Sequence, residues 1–160
     1  MRRHLAFAFS LLMAALVPSG AQAQAAAPQD VPIQQWQVPF PPGQPRDPFV
    51  APDGRIWFVG QRGNYLAVFD PKSSEFKQHA LPDRTNPHTN IVTPDGIVWV
   101  AGNVNGTIVR FDPKNNNTRI IPVPKPATAS RATTDPHTMI YDGKGGIWFT
   151  MQNTHFVGHL

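Results

Sequence analysis

The sequence has 160 residues and a formal charge of +4, from 14 basic and 10 acidic side chains, and it has no cysteine. Without cysteine, neither disulfides nor thiolate metal sites can form. The small, scattered positive charge does not favour binding to nucleic acid, and 18 prolines with 12 glycines favour many short strands and turns over helices.

Residues 1–23 have the three parts of a secretory signal peptide. Arg2 and Arg3 give a basic start, residues 5–17 form an apolar run, and residues 21–23 are an Ala-Gln-Ala cleavage site. We expect cleavage after Ala23, which lowers the charge from +4 to +2 by removing the two arginines. The expected product is periplasmic or secreted and is not held at a membrane. The alternative is a membrane anchor, although the apolar run is shorter than a spanning helix needs.

Residues 24–32 are predicted to be a flexible leader. Residues 33–38 alternate in polarity, include Trp36 and are followed by prolines, which predicts a strand. Residues 76–82 and 118–124 also end at a proline. Because proline is tolerated at a sheet edge, all three segments are predicted to be outer strands.

A short unit occurs three times, at residues 45–59, 87–101 and 136–150. Each copy has an apolar run, a turn with glycine and a second apolar run with a tryptophan. Those tryptophans are 42 and 49 residues apart, a spacing that is typical of propeller blades. The sequence therefore predicts an all-β fold, a β-propeller with about three blades of four antiparallel strands, at residues 45–82, 87–124 and 136–160.

Within the first blade, strands are predicted at residues 49–51, 56–59, 65–69 and 76–81. The second strand is a continuous apolar run, as expected where neighbouring blades cover both faces. The third blade has no room for a fourth strand. We therefore expect residues 33–160 to be a partial propeller with an incomplete ring, the N-terminal part of a longer one. A polar insertion at residues 125–135 explains the wider spacing and is expected on the same propeller face as His88.

The segments PHTNIVTPDGIVWVAG (residues 87–102) and PHTMIYDGKGGIWFT (residues 136–150) resemble the repeats of the virginiamycin B lyase (streptogramin B lyase) family. The resemblance implies a seven-bladed propeller and a carbon–oxygen lyase that opens a cyclic depsipeptide at its ester by β-elimination. It also implies Mg²⁺, which stabilises the developing enolate, and a histidine base that removes the proton.

By this resemblance, His88 and His137 occupy the family's Pro-His position at the entrance to the innermost strand. Arg46 stands at the equivalent place in the first unit. We predict that all three lie near the central axis, on one face, as substrate-binding candidates. No catalytic residue is assigned. The alternative is that these side chains only hydrogen-bond loop carbonyls of the neighbouring blade.

The family's acidic residue after the Trp-Phe-Thr segment is missing in every unit, where Gly60, Gly102 and Met151 stand instead. We therefore expect the Mg²⁺ ligands to lie outside this chain and assign no metal site. Three other acids follow inner strands and are explained as ordinary turn formers: Asp53, Asp95 and Asp142.

Two further sets of side chains are given structural explanations. His155 and His159 are predicted to point to one face of a strand, without a third residue to complete a metal site. The tryptophans are predicted to pack between blades rather than line a ligand site: Trp36, Trp57, Trp99 and Trp148.

Three functions remain open from the sequence. The first is an exported propeller of the streptogramin lyase type that is inactive as this polypeptide alone and acts on a small-molecule substrate. The second is a non-catalytic propeller that binds a ligand or partner on the face with His88 and His137. The third is a lactone hydrolase of the gluconolactonase type. None of the three involves nucleic acid as a partner.

Overall fold

A computed structural model describes residues 31–160. The predicted signal peptide and most of the predicted leader lie outside these residues. The chain divides into two units, residues 1–34 and residues 35–160. Of the first unit, residues 31–34 are exposed and form no regular structure. No helix in residues 31–160 has the length and apolar character that crossing a bilayer requires.

The second unit consists of strands joined by turns. Eleven strands are present in the described residues: β1 (Pro45–Val50), β2 (Ile56–Gly60), β3 (Tyr65–Asp70), β4 (Glu75–Ala80), β5 (Pro87–Val92), β6 (Val98–Gly102), β7 (Thr107–Asp112), β8 (Asn117–Pro122), β9 (Pro136–Tyr141), β10 (Ile147–Met151) and β11 (Phe156–His159). They form three antiparallel sheets in the orders β1-β2-β3-β4, β5-β6-β7-β8 and β9-β10-β11. We call these sheets blades 1, 2 and 3. They confirm the predicted partial all-β propeller.

The repeated tryptophans occupy equivalent places in the three blades. Each lies on the second strand, opposite an apolar residue of the inner strand: Trp57 opposite Phe49, Trp99 opposite Ile91 and Trp148 opposite Ile140. Each inner strand also contains a register irregularity near its start. The inner strand of blade 1 begins at Pro45, earlier than the predicted residue 49.

The turn after each inner strand is built by its aspartate and glycine. In blade 1, Asp53 Oδ1 accepts a hydrogen bond of 3.0 Å from the Arg55 backbone N–H, and Gly54 has a φ of 84°. In blade 3, Asp142 Oδ1 accepts from the backbone N–H of Lys144 at 2.7 Å. A positive φ is costly for residues with a Cβ, so these turns require the glycines that the repeat supplies.

Neighbouring blades pack face to face through apolar clusters. Trp57, Val59 and Leu66 of blade 1 pack with Val98 and Val109 of blade 2. A second cluster joins blade 2 to blade 3 and contains Ala101, Ile108, Met139, Ile147 and Phe149. The burial of these side chains is what holds successive sheets side by side.

The prediction of a strand at residues 33–38 is wrong. These residues have no regular structure and no ladder partner in the described chain, and a strand exists only where a neighbour pairs with its backbone hydrogen-bonding groups. The side chains of Trp36 and Phe40 instead cover part of blade 1. Trp36 lies 5.0 Å from the Phe69 ring, and Phe40 lies 5.7 Å from the Tyr65 ring, between centroids.

The end of the insertion at residues 125–135 lies beside blade 2. Thr133 Oγ1 donates to the Val104 carbonyl at 3.4 Å, and Asn103 Nδ2 donates to the Asp135 carbonyl at 3.4 Å. Residues 103–106 connect β6 to β7, and β6 ends opposite the start of β5. The insertion therefore ends on the face where β5 and His88 begin, as predicted.

Candidate ligand-binding site at the propeller axis

The second residue of each inner strand faces a common site. His88 of β5 and His137 of β9 have ring centroids 3.3 Å apart and planes tilted by 35°. Arg46 of β1 is close enough for its charge to lower the pKa of both imidazoles. Residues that are 42 and 49 positions apart in the chain are therefore brought together by the stacking of three blades.

His88 is the most enclosed of the three, with 7% of its surface exposed. Its Nδ1 lies 3.6 Å from Asp47 Oδ2 and has no hydrogen-bond partner among residues 31–160. His137 Nδ1 lies 3.0 Å from Thr138 Oγ1. Neither Nδ1 atom hydrogen-bonds a loop carbonyl within the described chain. These contacts therefore do not support the alternative that the histidines only hydrogen-bond carbonyls of neighbouring loops.

The surroundings of both imidazoles favour the neutral form. Burial, together with the positive charges of His137 and Arg46, lowers the pKa of His88 to about 4, against the opposing effect of Asp47. Burial and Arg46 also lower the pKa of His137, against Asp47 and Asp135. Neutral imidazoles can donate or accept a proton or a hydrogen bond near pH 7.

Asp47 is a site residue that the sequence analysis missed. Its carboxylate faces both His88 and, at 3.9 Å, the Nε atom of Arg46. Its backbone has a φ of 46°, and its carbonyl accepts a hydrogen bond from Asn90 Nδ2 at 2.8 Å. One feature of the sequence could have indicated Asp47: the equivalent position in the other two units is a threonine, so only blade 1 has an acid here.

A cavity of about 550 Å³ extends from Asp47 along the three inner strands. Its wall is mainly apolar and includes Phe49, Val50, Met139 and Ile140. The polar side chains lie towards the end where the strands begin. The site is therefore polar at one end and apolar along its length.

The described residues do not fit a magnesium ion. Residues 31–160 contain no group of three or more histidine, aspartate or glutamate side chains placed to hold a metal. The carboxylates of Asp53, Asp95 and Asp142 hydrogen-bond within their own turns. Mg²⁺ requires several oxygen ligands in octahedral geometry, which these separated carboxylates do not provide.

The positions after the tryptophan segment face the interior of the blades. A Cβ at Gly60 would overlap the Tyr65 ring, and one at Gly102 would overlap Asn105 Oδ1. Met151 is buried in the core between blades 2 and 3. Packing thus explains why this chain has no acid at these three places.

The prediction that His155 and His159 point to one face of a strand is wrong. His155 lies in the turn before β11 with a φ of 63°, so only His159 is on the strand. His159 Nε2 lies 3.8 Å from Asp142 Oδ2, and its ring is 4.4 Å from the Trp148 ring, between centroids. His159 therefore packs within blade 3, against Asp142 and Trp148, and is not part of the axial cluster.

Three antiparallel sheets, packed face to face with their first strands around one cavity, define part of a β-propeller. No family model matches the sequence, and no curated protein does so either. Solved structures do match. The chain is similar to a streptogramin B lyase, with 24% identity and a TM-score of 0.67, over 77% of this chain and 39% of that one. It is also similar to virginiamycin B lyase from Staphylococcus aureus, with 18% identity and a TM-score of 0.65, over 79% of this chain and 44% of that one.

A catalytically inactive form of the Staphylococcus aureus enzyme, solved with quinupristin, matches with the same scores. These likenesses confirm the resemblance to the lyases at the level of the fold. The chain matches 39 to 44% of the length of these lyase structures.

Proposed function

We propose that this chain is part of an exported β-propeller that binds a small molecule at the axial cluster of Arg46, Asp47, His88 and His137. The observation that supports the proposal best is the meeting of these side chains from three blades, with Asp47 also in the wall of a cavity of about 550 Å³. Polar groups that converge on an apolar concave surface are the usual features of a ligand site.

Binding without turnover is the function that we propose for this polypeptide alone. A β-elimination needs a base for the proton next to the carbonyl and stabilisation of the resulting enolate. The neutral imidazoles of His88 and His137 are suited to the first task. The described residues offer no carboxylate set for Mg²⁺, so they are not suited to the second.

Titration with quinupristin in a calorimeter tests this proposal. We expect saturable binding that weakens about tenfold or more in His137→Ala and Arg46→Ala, because each removes a polar contact at the axis. His79→Ala is a matched control, because His79 lies on the outer strand β4 against Trp57 and Phe111. Absence of binding, or equal binding by all variants, would contradict the proposal.

A second candidate is lyase activity in this chain itself, favoured by the shared fold with a virginiamycin B lyase that was solved with quinupristin. The assay is mass spectrometry of quinupristin incubated with the chain, with Mg²⁺ or with a chelator. We expect the ring to stay intact in both. Linearisation that needs Mg²⁺ would establish the lyase instead.

Export is the remaining part of the proposal and depends on residues 1–23. Expression of the full chain in a Gram-negative host should give a periplasmic product whose N-terminus is Gln24. Replacement of Arg2 and Arg3 by glutamate should slow this processing. An uncleaved product in the membrane fraction would favour an anchor.

A further inference from the structure

We propose that the axial cavity takes an amphipathic monocarboxylate, with its carboxylate at Arg46 and His137 and its apolar tail along the inner strands. This inference rests on the proposed function and adds the chemical class of the ligand. It is carried by the polar cluster that adjoins the cavity through Asp47, by the charges of that cluster and by the exposed apolar wall of the cavity.

Arg46 has donors to spare for a carboxylate. Its Nη1 atom donates to Gln61 Oε1 at 3.0 Å, and its Nε lies 3.9 Å from Asp47 Oδ1, which is too long for a hydrogen bond. Within residues 31–160, Gln61 is its one hydrogen-bond acceptor. A guanidinium presents five N–H groups in a fork that matches a carboxylate, so most of this fork is available.

The charges of the cluster require a bound anion to be accompanied by a proton. Three charged groups act on the imidazoles: Arg46 and Asp47 on β1, and Asp135, which immediately precedes β9. Arg46 and Asp47 offset each other, and both imidazoles are neutral. Asp135 stays ionised, with its oxygens accepting hydrogen bonds from Asn153 and Thr154, so its negative charge opposes a further anion while the imidazoles are neutral. A bound carboxylate would favour a proton on His137 or His88, so binding should take up a proton.

The tail has an apolar surface of suitable length. From Asp47 to Val50 the inner strand rises about 10 Å, and this is the direction in which the cavity extends. Val50 and Ile140, both in its wall, are 65% and 66% exposed. Covering such side chains with an alkyl chain is favourable because it removes apolar surface from water.

The experiment compares octanoate with octanamide, which has the same tail and no charge. Calorimetric titrations of the full chain at pH 6 and pH 8 should show octanoate binding about tenfold more tightly than octanamide at pH 6, with a smaller difference at pH 8. Repeating the pH 6 titration in buffers of different ionisation enthalpy should reveal proton uptake. Arg46→Gln should remove the preference for octanoate, whereas His79→Gln should keep it.

The outcomes separate this inference from the proposed function. Equal binding of octanoate and octanamide, or tighter octanoate binding with no proton uptake and no effect of Arg46→Gln, would overturn the monocarboxylate while leaving a small-molecule site. Binding of quinupristin but of neither probe would do the same. Failure of all three ligands to bind would overturn both proposals. The proton measurement uses the unaltered chain, so the test does not depend on the folding of a variant.

Discussion

His88 is the residue at which three blades meet. It belongs to blade 2, its ring lies on His137 of blade 3, and its Nδ1 faces Asp47 of blade 1. The side chain is buried without a hydrogen bond to Nδ1 among the described residues, an arrangement that usually costs about 1 to 3 kcal/mol. Such a cost is tolerated where the group serves a site.

The first prediction concerns the stability of the fold in mild acid. The pKa of His88 is lowered from 6.5 to about 4, so the unfolded chain takes up the proton first as the pH falls. The contribution of neutral His88 to the free energy of unfolding should be fully present above pH 6.5 and should be lost as the pH falls from 6.5 to about 4. The shift corresponds to roughly 3 kcal/mol, and solvent screening near the surface reduces our expectation to about 1 to 2 kcal/mol.

Urea denaturation from pH 8 to pH 4 measures this loss. Burial lowers the pKa of His79 and His137 as well, so the comparison with His88→Asn isolates the share of His88. The variant should lose less stability over this range than the unaltered chain. Parallel curves for the two proteins would rule out His88 as the cause.

A second residue-scale prediction concerns Asp135. Its buried carboxylate accepts four hydrogen bonds from Asn153 and Thr154 and so fixes the turn between β10 and β11. Burial by itself raises the pKa of Asp135, but these donors outweigh it, and the net pKa is lowered. Asp135→Ala should reduce the free energy of unfolding by about 2 to 4 kcal/mol, because the two buried donors of Thr154 and the two part-buried donors of Asn153 lose their acceptor.

Asp135→Asn should cost nearly as much, since its amide would place N–H groups against N–H donors. The exposed Asp83, without a side-chain hydrogen bond in the described chain, gives the control Asp83→Ala, which should change stability by less than about 0.5 kcal/mol. Urea titrations at pH 7 measure all three. A mild effect of Asp135→Asn would show that the carboxylate charge is dispensable.

At the scale of elements, residues 36–40 act as a covering segment for blade 1. The apolar face that they cover contains Phe58, Tyr65 and Phe69, and Phe40 also lies 6.4 Å from the Phe76 ring, between centroids. A sheet face of this kind is normally buried against a neighbouring layer. In this structure, a segment without strand pairing covers part of it.

The third prediction removes that cover. Trp36→Ala with Phe40→Ala should lower the free energy of unfolding by about 2 kcal/mol through lost apolar burial and should raise the fluorescence of the hydrophobic dye ANS. Exposed apolar surface also promotes self-association, so light scattering should increase with concentration. The double change Gln35→Ala with Gln37→Ala alters exposed neighbours and should leave all three readings unchanged. Equal dye binding by both variants would argue against a covering role.

At the scale of the whole molecule, the burial of a blade residue depends on whether a neighbouring blade covers it. Trp57 is 1% exposed because blade 2 covers it, whereas Trp148, at the same register position, is 46% exposed on the far face of blade 3. The prediction of tryptophans packed between blades is therefore not met for Trp148 within the described residues, where no blade covers its exposed face. It is wrong for Trp36, which is 44% exposed and lies on blade 1 rather than between two blades.

The fourth prediction compares the two equivalent tryptophans. Trp57→Ala should cost about 3 to 5 kcal/mol because it leaves a cavity between packed blades. Trp148→Ala should cost about 1 kcal/mol because much of its surface already meets water. Thermal and urea unfolding of the two variants give the comparison. Similar costs would mean that Trp148 is covered in solution, for example by a second copy of the chain.

The strands and turns could be predicted closely because their signals are local. Pro-Asp-Gly fixes a tight turn within a few residues, and the repeated spacing marks the blades. The strand at residues 33–38 was predicted wrongly because alternation describes a half-covered segment equally well, and pairing depends on a distant partner. For the site, the repeat indicated Arg46, His88 and His137 but not Asp47, whose approach to His88 depends on the backbone at a register irregularity.

The amino-acid sequence by itself therefore determined the class of fold and the three blade units within the described residues, since hydrophobic periodicity and turn chemistry act over a few residues. Only the tertiary structure decided which tryptophans are buried, what covers blade 1, and how the two histidines contact each other beside Asp47. Those features depend on how sheets distant in the chain pack, and the pKa of His88 follows from that packing because burial and neighbouring charges set it.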